Sequence, residues 1–320
     1  MKLRLFVLCC FGLVLGFAQN GEDDLYLYDN FKAVSQENVF KTEGYYNWGS
    51  SIIKERDGKY HLFYSRWKKE YGFNGWLTHS EIAHATSKSP AGPWKYKETV
   101  LRGSGQGNWD AITAHNPKIK SFEGKYYLYY IATNMGGKDY TDEELIETAK
   151  TGYTHPNWKI LRPSQRTGVA VSNSLNGPWS RMDKPLVEPS GAITTLTVNP
   201  AIDRGKDGKY YLIVKGDKPN EKKFIRNQAV GVSEHPDGPF EIQEKPVIDY
   251  MDTEDMSIWY DENRDRFYGV FHAHNYIGLV TSENGTDWEK ANEFVLKNKE
   301  ILLEDGTVIG PDRMERPFVY

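Results

Sequence analysis

The chain has only two cysteines, Cys9 and Cys10, side by side in the apolar run Leu5 to Phe17. That run follows Lys2 and Arg4 and ends in Gly16-Phe17-Ala18 before the polar stretch Gln19 to Asp24, the layout of a cleavable export signal over residues 1–18. Removing the signal leaves no cysteine, which excludes disulfides and thiolate metal sites. A lipoprotein anchor is disfavoured too, since only the short stretch Leu5 to Leu8 precedes Cys9. The leader is too short to span a bilayer comfortably, so the mature chain is expected in the periplasm or outside the cell without a membrane span. Surplus charge is also lacking. At a formal net charge of −4 over 320 residues, neither nucleic acid nor an anionic membrane is expected as a partner. Between the strand-like segments described next there is no sustained helical periodicity, which argues against an α/β fold.

What the chain does have is repetition. DGKYHLFYS (Asp57 to Ser65), EGKYYLYYI (Glu123 to Ile131) and DGKYYLIVK (Asp207 to Lys215) are copies of one phrase, with a degenerate fourth in RDRFYGVFH (Arg264 to His272). Each is a turn followed by aromatic and β-branched residues, suited to a buried strand. A second phrase follows at a distance: SKSPAGPWKY (Ser87 to Tyr96), SNSLNGPWSR (Ser172 to Arg181), SEHPDGPFEI (Ser233 to Ile242) and, more loosely, SENGTDWEKA (Ser282 to Ala291). Hairpin pairs recurring in this way are the pattern of propeller blades.

The expected organisation is an all-β, five-bladed β-propeller over residues 45–320. A lead-in over 19–44 includes a ring-closing strand at Leu25 to Phe31. Blades run from about Tyr45 to Leu101, Trp109 to Val187, Thr195 to Asp249 and Thr253 to Leu296. The second carries an insertion from Asn134 to Arg166, polar and unpatterned around Asp139 to Lys150, and long loops on a rigid scaffold commonly shape a binding mouth. A fifth blade opens at EDGTVIGPDRMERPFVY and is incomplete at Tyr320, as in a fragment. A monomer is expected.

Innermost propeller strands converge on the axis, so the residues that open them are site candidates. Aligned, these are Gly49-Ser50, His115-Asn116, Val198-Asn199, Glu254-Asp255 and Glu315-Arg316. Trp48 stands next to the first pair as a sugar-stacking surface. Asp110 precedes His115 by a short loop, and His79 and Glu81 share one strand face. His272 and His274 end a blade 4 strand, and Arg66 and Lys215 follow the first and third hairpins. Converging histidines provide a general acid or base near neutral pH. The cations either balance the acidic residues or grip a carboxylate or sulfate on a sugar. No short histidine spacing supports a transition metal.

On these residues the chain resembles the five-bladed propellers of glycoside hydrolase family 43 and its relatives, which cleave terminal sugars from plant and algal polysaccharides. The resemblance rests on the Asn-Pro and Ser-Ser strand openings, the DGKYYLYYS-type hairpins, the SxSPxGPW turns and Glu254-Asp255. It implies a general acid at Glu254, a general base opening blade 1 and an orienting Asp in blade 3. Ser50 and Asn199 stand at the last two places, so two of the three family carboxylates are not matched. No cofactor is required, although the resemblance implies Ca2+ as an ion the central channel could hold.

Three functions follow. The leading one is an exo-acting glycoside hydrolase on the non-reducing end of acidic plant or algal oligosaccharides, with Glu254 as acid and Asp110 or another channel carboxylate activating water. A second is a lyase or dehydratase on a terminal uronic acid, with His115 as base and Arg66, Lys215 or Arg316 on the carboxylate. A third is a glycan-binding propeller that does no chemistry.

Overall fold

The repeated phrases owe their turns to local hydrogen bonds. Asp57 Oδ1 accepts from the Lys59 N–H at 2.9 Å and Asp207 Oδ1 from the Lys209 N–H at 3.1 Å, closing a reverse turn between two strand-forming runs. The serine opening the second phrase works similarly. Ser87, Ser172 and Ser233 each accept from the N–H two residues on, at 3.1, 3.1 and 3.0 Å.

A computed structural model describes residues 23–320. The expected export signal, with Cys9 and Cys10, lies outside the described residues. Four antiparallel four-stranded meanders form the blades. Blade 1 comprises β1 (Tyr45–Lys54), β2 (Tyr60–Lys68), β3 (Glu81–Ser87) and β4 (Lys95–Leu101). Blade 2 comprises β5 (His115–Phe122), β6 (Lys125–Ala132), β7 (Arg166–Ser172) and β8 (Ser180–Arg181). Blade 3 comprises β9 (Thr194–Arg204), β10 (Tyr210–Asp217), β11 (Arg226–Ser233) and β12 (Glu241–Pro246). Blade 4 comprises β13 (Glu254–Asp261), β14 (Arg266–His272), β15 (Tyr276–Ser282) and β16 (Glu289–Asn298).

The architecture is thus the expected all-β propeller, but with four blades rather than five. In place of a fifth sheet, β17 (Ile301–Leu302) and β18 (Val308–Ile309) form a two-stranded ribbon, and Val34 of the lead-in bridges in parallel to Leu303 beside it. Residues 310–320 pair with no strand. The lead-in carries short 3-10 turns at Tyr28–Asn30 and Gln36–Asn38 instead of the expected strand at Leu25 to Phe31. It is tied to blade 4 through Glu293, whose carboxylate accepts from the Leu27 and Tyr28 N–H groups.

Blades interlock through the alternate residues of their strands. Phe63 and Ile82 of blade 1 pack with Ile119, Leu128 and Tyr130 of blade 2. Tyr127 and Tyr129 of blade 2 meet Ile202, Tyr210 and Leu212 of blade 3, and Ile213 and Val230 of blade 3 meet Met256, Ile258 and Phe267 of blade 4. Each fully buried side chain of this size is worth about 1.5–3 kcal/mol, so these seams hold the ring rigid. Among the described residues no such seam joins blade 4 to blade 1. Val270, Leu279 and Leu296 pack instead on Leu25, Leu27 and Met314, and Leu62 and Tyr64 on Phe40.

The blade 2 insertion, expected to be unpatterned, folds. Helix α1 (Asp142–Thr151) opens on a capping box in which Thr141 and Glu144 each bond the other's backbone N–H. A shorter helix, α2 (Trp158–Leu161), follows. Leu145, Trp158 and Leu161 join Leu77, Ile112 and Met135 in a small core of their own. The Thr-Asp-Glu-Glu start signal was readable in the sequence.

Candidate active site

The ladder of each inner strand is broken near the axis, once in β1, β5 and β13 and twice in β9. Ladder registers slip between Trp48 and Ser50 in β1, between His115 and Lys118 in β5, opposite Lys215 in β9 and between Glu254 and Ser257 in β13. The residues at these bulges are left-handed: Gly49 at φ 45°, Asn116 at 48°, Asn199 at 56° and Asp255 at 63°. Arg316, in the unpaired C-terminal segment, repeats the conformation at φ 59°. Four blades therefore come with five equivalent positions at the axis.

The bulge residues form a hydrogen-bonded floor. Asn116 donates to Asn199 Oδ1 at 2.8 Å, Asn199 donates to Asp255 Oδ1 at 2.6 Å, and the Arg316 N–H reaches Asp255 Oδ2 at 3.2 Å. All four are buried. Burial, then the Glu254 charge, pushes the Asp255 carboxyl up to about 6, against the pull of Arg316. Gly49 completes the ring for a steric reason: a Cβ there would lie 2.3 Å from Asn116 Oδ1.

The residue before each bulge turns the other way, into a cavity of about 420 Å³ above the floor. In order these are Trp48, His115, Val198, Glu254 and Glu315. The aligned openings need correcting by one residue in blade 1, where the counterpart of His115 and Glu254 is Trp48. Ser50 lines a separate cleft on the flank of blade 1. Asn199 belongs to the floor, and the blade 3 residue facing the cavity is Val198.

Two carboxylates therefore face the cavity from this column. Glu254 Oε2 lies 3.2 Å from Lys215 Nζ and its Oε1 3.1 Å from Arg226 Nε. Burial pushes this carboxyl up, but Lys215 and Arg226 together outweigh it and hold it below its ordinary value. Glu315 shifts the opposite way. Burial and then the charge of Glu254 push it up, against a single ion pair to Arg313 at 3.1 Å. His272 Nδ1, 3.8 Å from Glu254 and without a hydrogen-bond partner, belongs to the same group, and burial lowers its pKa.

Donor atoms of Glu254, His272 and Glu315 all lie within 4.8 Å of one another, which raises the calcium ion implied by the sequence resemblance. A hard cation prefers six to eight oxygen ligands. Here it would meet two carboxylates already paired with Lys215, Arg226 and Arg313. That donor set does not fit calcium, and no step below uses it.

The walls are aromatic. His115 is buried between Trp67 and Trp76, with ring centroids 5.7 and 5.6 Å away, and its Nδ1 is 2.7 Å from Ser80 Oγ. Burial lowers its pKa to about 3, so it is a neutral hydrogen-bonding group. Phe73, Trp158, Tyr153 and Phe224 line the cavity further out. Arg162 of the insertion reaches blade 3, where its two terminal nitrogens grip Asp217 at 2.9 and 2.6 Å. Arg162, Arg226, Arg313 and the walls drawn from the insertion were missed in the sequence, because their place depends on loops and second or third strands.

Other expected site residues lie elsewhere. Asp110 is buried beside blade 2, accepting from Tyr130 and Arg181 at 2.8 Å each and from Ser104, and does not line the cavity. Arg66 and Glu81 pair at 2.7 Å across β2 and β3, the two middle strands of blade 1, with Thr99, Tyr96 and Arg102 completing the cluster. His79 stacks on Tyr71 at 4.0 Å and faces Asp142. Arg66 and Glu81 are on the expected strands, but His79 falls before β3 rather than on it and Asp110 is in a turn, and none of the four lines the cavity.

No family model matches the sequence, and no curated protein matches it either. Solved structures do share the fold. A family 117 glycoside hydrolase produced by the marine bacterium Zobellia galactanivorans aligns at 16% identity and TM-score 0.63, over 86% of this chain and 78% of that one. A structure described as a glycoside hydrolase gives 15% and 0.59, over 88% of each chain. An endo-arabinase from Bacteroides thetaiotaomicron gives 14% and 0.54, over 87% and 91%. At such identities the likeness is one of fold.

Proposed function

We propose that this chain is a glycoside hydrolase that removes a terminal sugar, with Glu315 as proton donor and Glu254 as its charged partner. One observation carries the reading: two carboxylates at the bottom of an aromatic cavity have their ionisation pushed in opposite directions. Such a divergence is how neighbouring acids divide acid and base roles. Glu315 keeps its proton and passes it to the glycosidic oxygen as the bond to the anomeric carbon breaks. Glu254 stays ionised and, with an oxygen within 4.8 Å of one on Glu315, is too close to leave room for a water between them. It attacks the anomeric carbon as the nucleophile, and water then cleaves the glycosyl ester with Glu315 taking its proton. The sequence reading made Glu254 the acid. Its two cationic neighbours favour its charged form, so the acid's role passes to Glu315.

The bonded Asn116, Asn199 and Asp255 side chains block the axial channel, so substrate enters from the cavity mouth. The cations at the cavity each meet a carboxylate: Arg162 with Asp217, Lys215 with Glu254, Arg226 with Asp252 and Arg313 with Glu315. With Glu315 protonated as above, Arg313 has no ionised partner among these, so the cavity suits a neutral sugar or one that carries a carboxylate or sulfate. The elimination chemistry loses support because a buried imidazole as weakly basic as His115 is a poor proton acceptor. Trp48 and Val198, standing where blades 1 and 3 would carry carboxylates, favour as a second reading a propeller that only binds glycan. No described helix is long and apolar enough to cross a membrane, and export by the N-terminal leader stays part of the proposal.

A panel of 4-nitrophenyl glycosides and neutral and acidic oligosaccharides tests this. Glu315→Gln should lose about 10²–10⁴-fold on oligosaccharides and far less on nitrophenyl glycosides, whose leaving group needs no proton, while Glu254→Gln should lose both. Wild-type rates on oligosaccharides in Glu315→Gln would overturn the assignment. Tight binding without turnover by the native protein would establish the second reading.

A further inference from the structure

We infer that the cavity mouth is a built subsite for the leaving-group sugar, with Tyr153 and Phe224 as its two platforms; this rests on the hydrolase reading for the word leaving group alone. Both residues line the cavity, yet they are 68% and 52% exposed, whereas Trp67 and Trp158 deeper in the same wall are buried. Large aromatic faces left open to water beside a cavity are placed to cover an apolar ligand face, and the C–H face of a sugar is one.

The platforms are held in position from below. The Tyr153 ring sits 4.6 Å from that of Trp158, which is itself braced by Trp76 at 6.1 Å. Phe224 lies over the Arg162 guanidinium at 4.5 Å, and that group is fixed by its two bonds to Asp217. Arg226 approaches the same ring at 5.3 Å. Preorganised contacts cost little ordering entropy on binding, so each can be expressed as affinity.

Their location fixes what they hold. Neither residue belongs to the inner strands: Tyr153 comes from the blade 2 insertion and Phe224 from the loop between β10 and β11. A terminal sugar placed at Glu254 and Glu315 has the closed floor beneath it. Its glycosidic partner can extend only toward the mouth, between these two rings. The ligand class is therefore an oligosaccharide of at least two rings, and specificity for the second ring belongs to the insertion and the β10–β11 loop rather than to the inner strands.

Binding measured through tryptophan fluorescence tests this, using mono-, di- and trisaccharides of the arabinose, xylose and galactose series. In the native protein the disaccharide of the preferred series should bind at least ~10-fold tighter than its monosaccharide. Tyr153→Ala and Phe224→Ala should each shrink that ratio by ~5-fold, and Tyr153→Phe, which keeps the ring, should restore it. Equal weakening of mono- and disaccharide, or no change in the ratio, would overturn the subsite. A preserved ratio effect with no hydrolysis of any sugar would support the subsite while removing the hydrolase. Failure of every sugar to bind would remove both. Since both side chains are mostly exposed, unchanged thermal midpoints are expected and would show that the variants fold.

Discussion

Replacing His84 by Gln should flatten the acid side of the stability profile by an amount the structure fixes. In blade 1 the His61 and His84 rings are buried against each other, with His61 Nδ1 2.8 Å from His84 Nε2 and Phe63 stacked at 4.6 Å. His61 Nε2 reaches Glu55 at 3.0 Å, so His84 Nε2–H must donate to His61 and the His84 Nδ1 is left bare, 3.7 Å from Glu98. Burial, then the His61 and Lys97 charges, lowers the His84 pKa from 6.5 to about 4, against a weaker pull from Glu98. The unfolded chain therefore takes up a proton first. Stability from this group is complete above about pH 6.5 and is lost as pH falls toward 4. At about 1.4 kcal/mol per pKa unit the total is roughly 3 kcal/mol, of which about 2 kcal/mol is gone by pH 4.5. Gln can still donate to His61 Nδ1 but cannot titrate. Urea unfolding at pH 7 and pH 4.5 should show the native protein losing about 2 kcal/mol more than His84→Gln between the two. Parallel losses would refute the account of the buried pair.

Other outcomes follow from the floor and the walls. Gly49→Ala should cost clearly more stability than Gly58→Ala, because both are left-handed, at about 1–2 kcal/mol, but only a Cβ at 49 meets Asn116; equal thermal shifts would refute the close approach. Asp110→Asn should destabilise by about 2–3 kcal/mol by breaking the Arg181 pair, while the rate per folded molecule stays that of the native protein; a collapsed kcat would return Asp110 to the site. Glu254→Gln should lower the Glu315 pKa, because the charge that helps keep Glu315 protonated is gone, and carbon NMR titration of labelled glutamate reads this directly.

How much the sequence disclosed depended on how local the cause was. The Asp57 and Asp207 turns, the serine-capped turns and the alternating strands between them follow from neighbours within a few residues, so blade order and the bounds of four sheets were legible. Helix α1 was announced by Thr141 and Glu144 and went unread because its polar face hid a short apolar one. The fifth sheet was over-read. The segment from Glu304 repeats the phrasing of a blade, yet its backbone forms only a short ribbon and an unpaired stretch.

The residue types at the axis were likewise present in the sequence: His115, Asn116, Asn199, Glu254, Asp255, Glu315 and Arg316 all meet there. Their directions were not. In a strand one extra residue reverses every later side chain, and the bulge at Gly49 turns Trp48 rather than Ser50 to the cavity. The charge states were further still from the sequence. Lys215 and Arg226 come from the second and third strands of blade 3, Arg313 from the C-terminal segment, and only their convergence on Glu254 and Glu315 separates one acid from the other. Local chemistry set the strands and turns; the ring of blades, through burial and charges brought from distant segments, set the direction in which each carboxyl's ionisation is pushed.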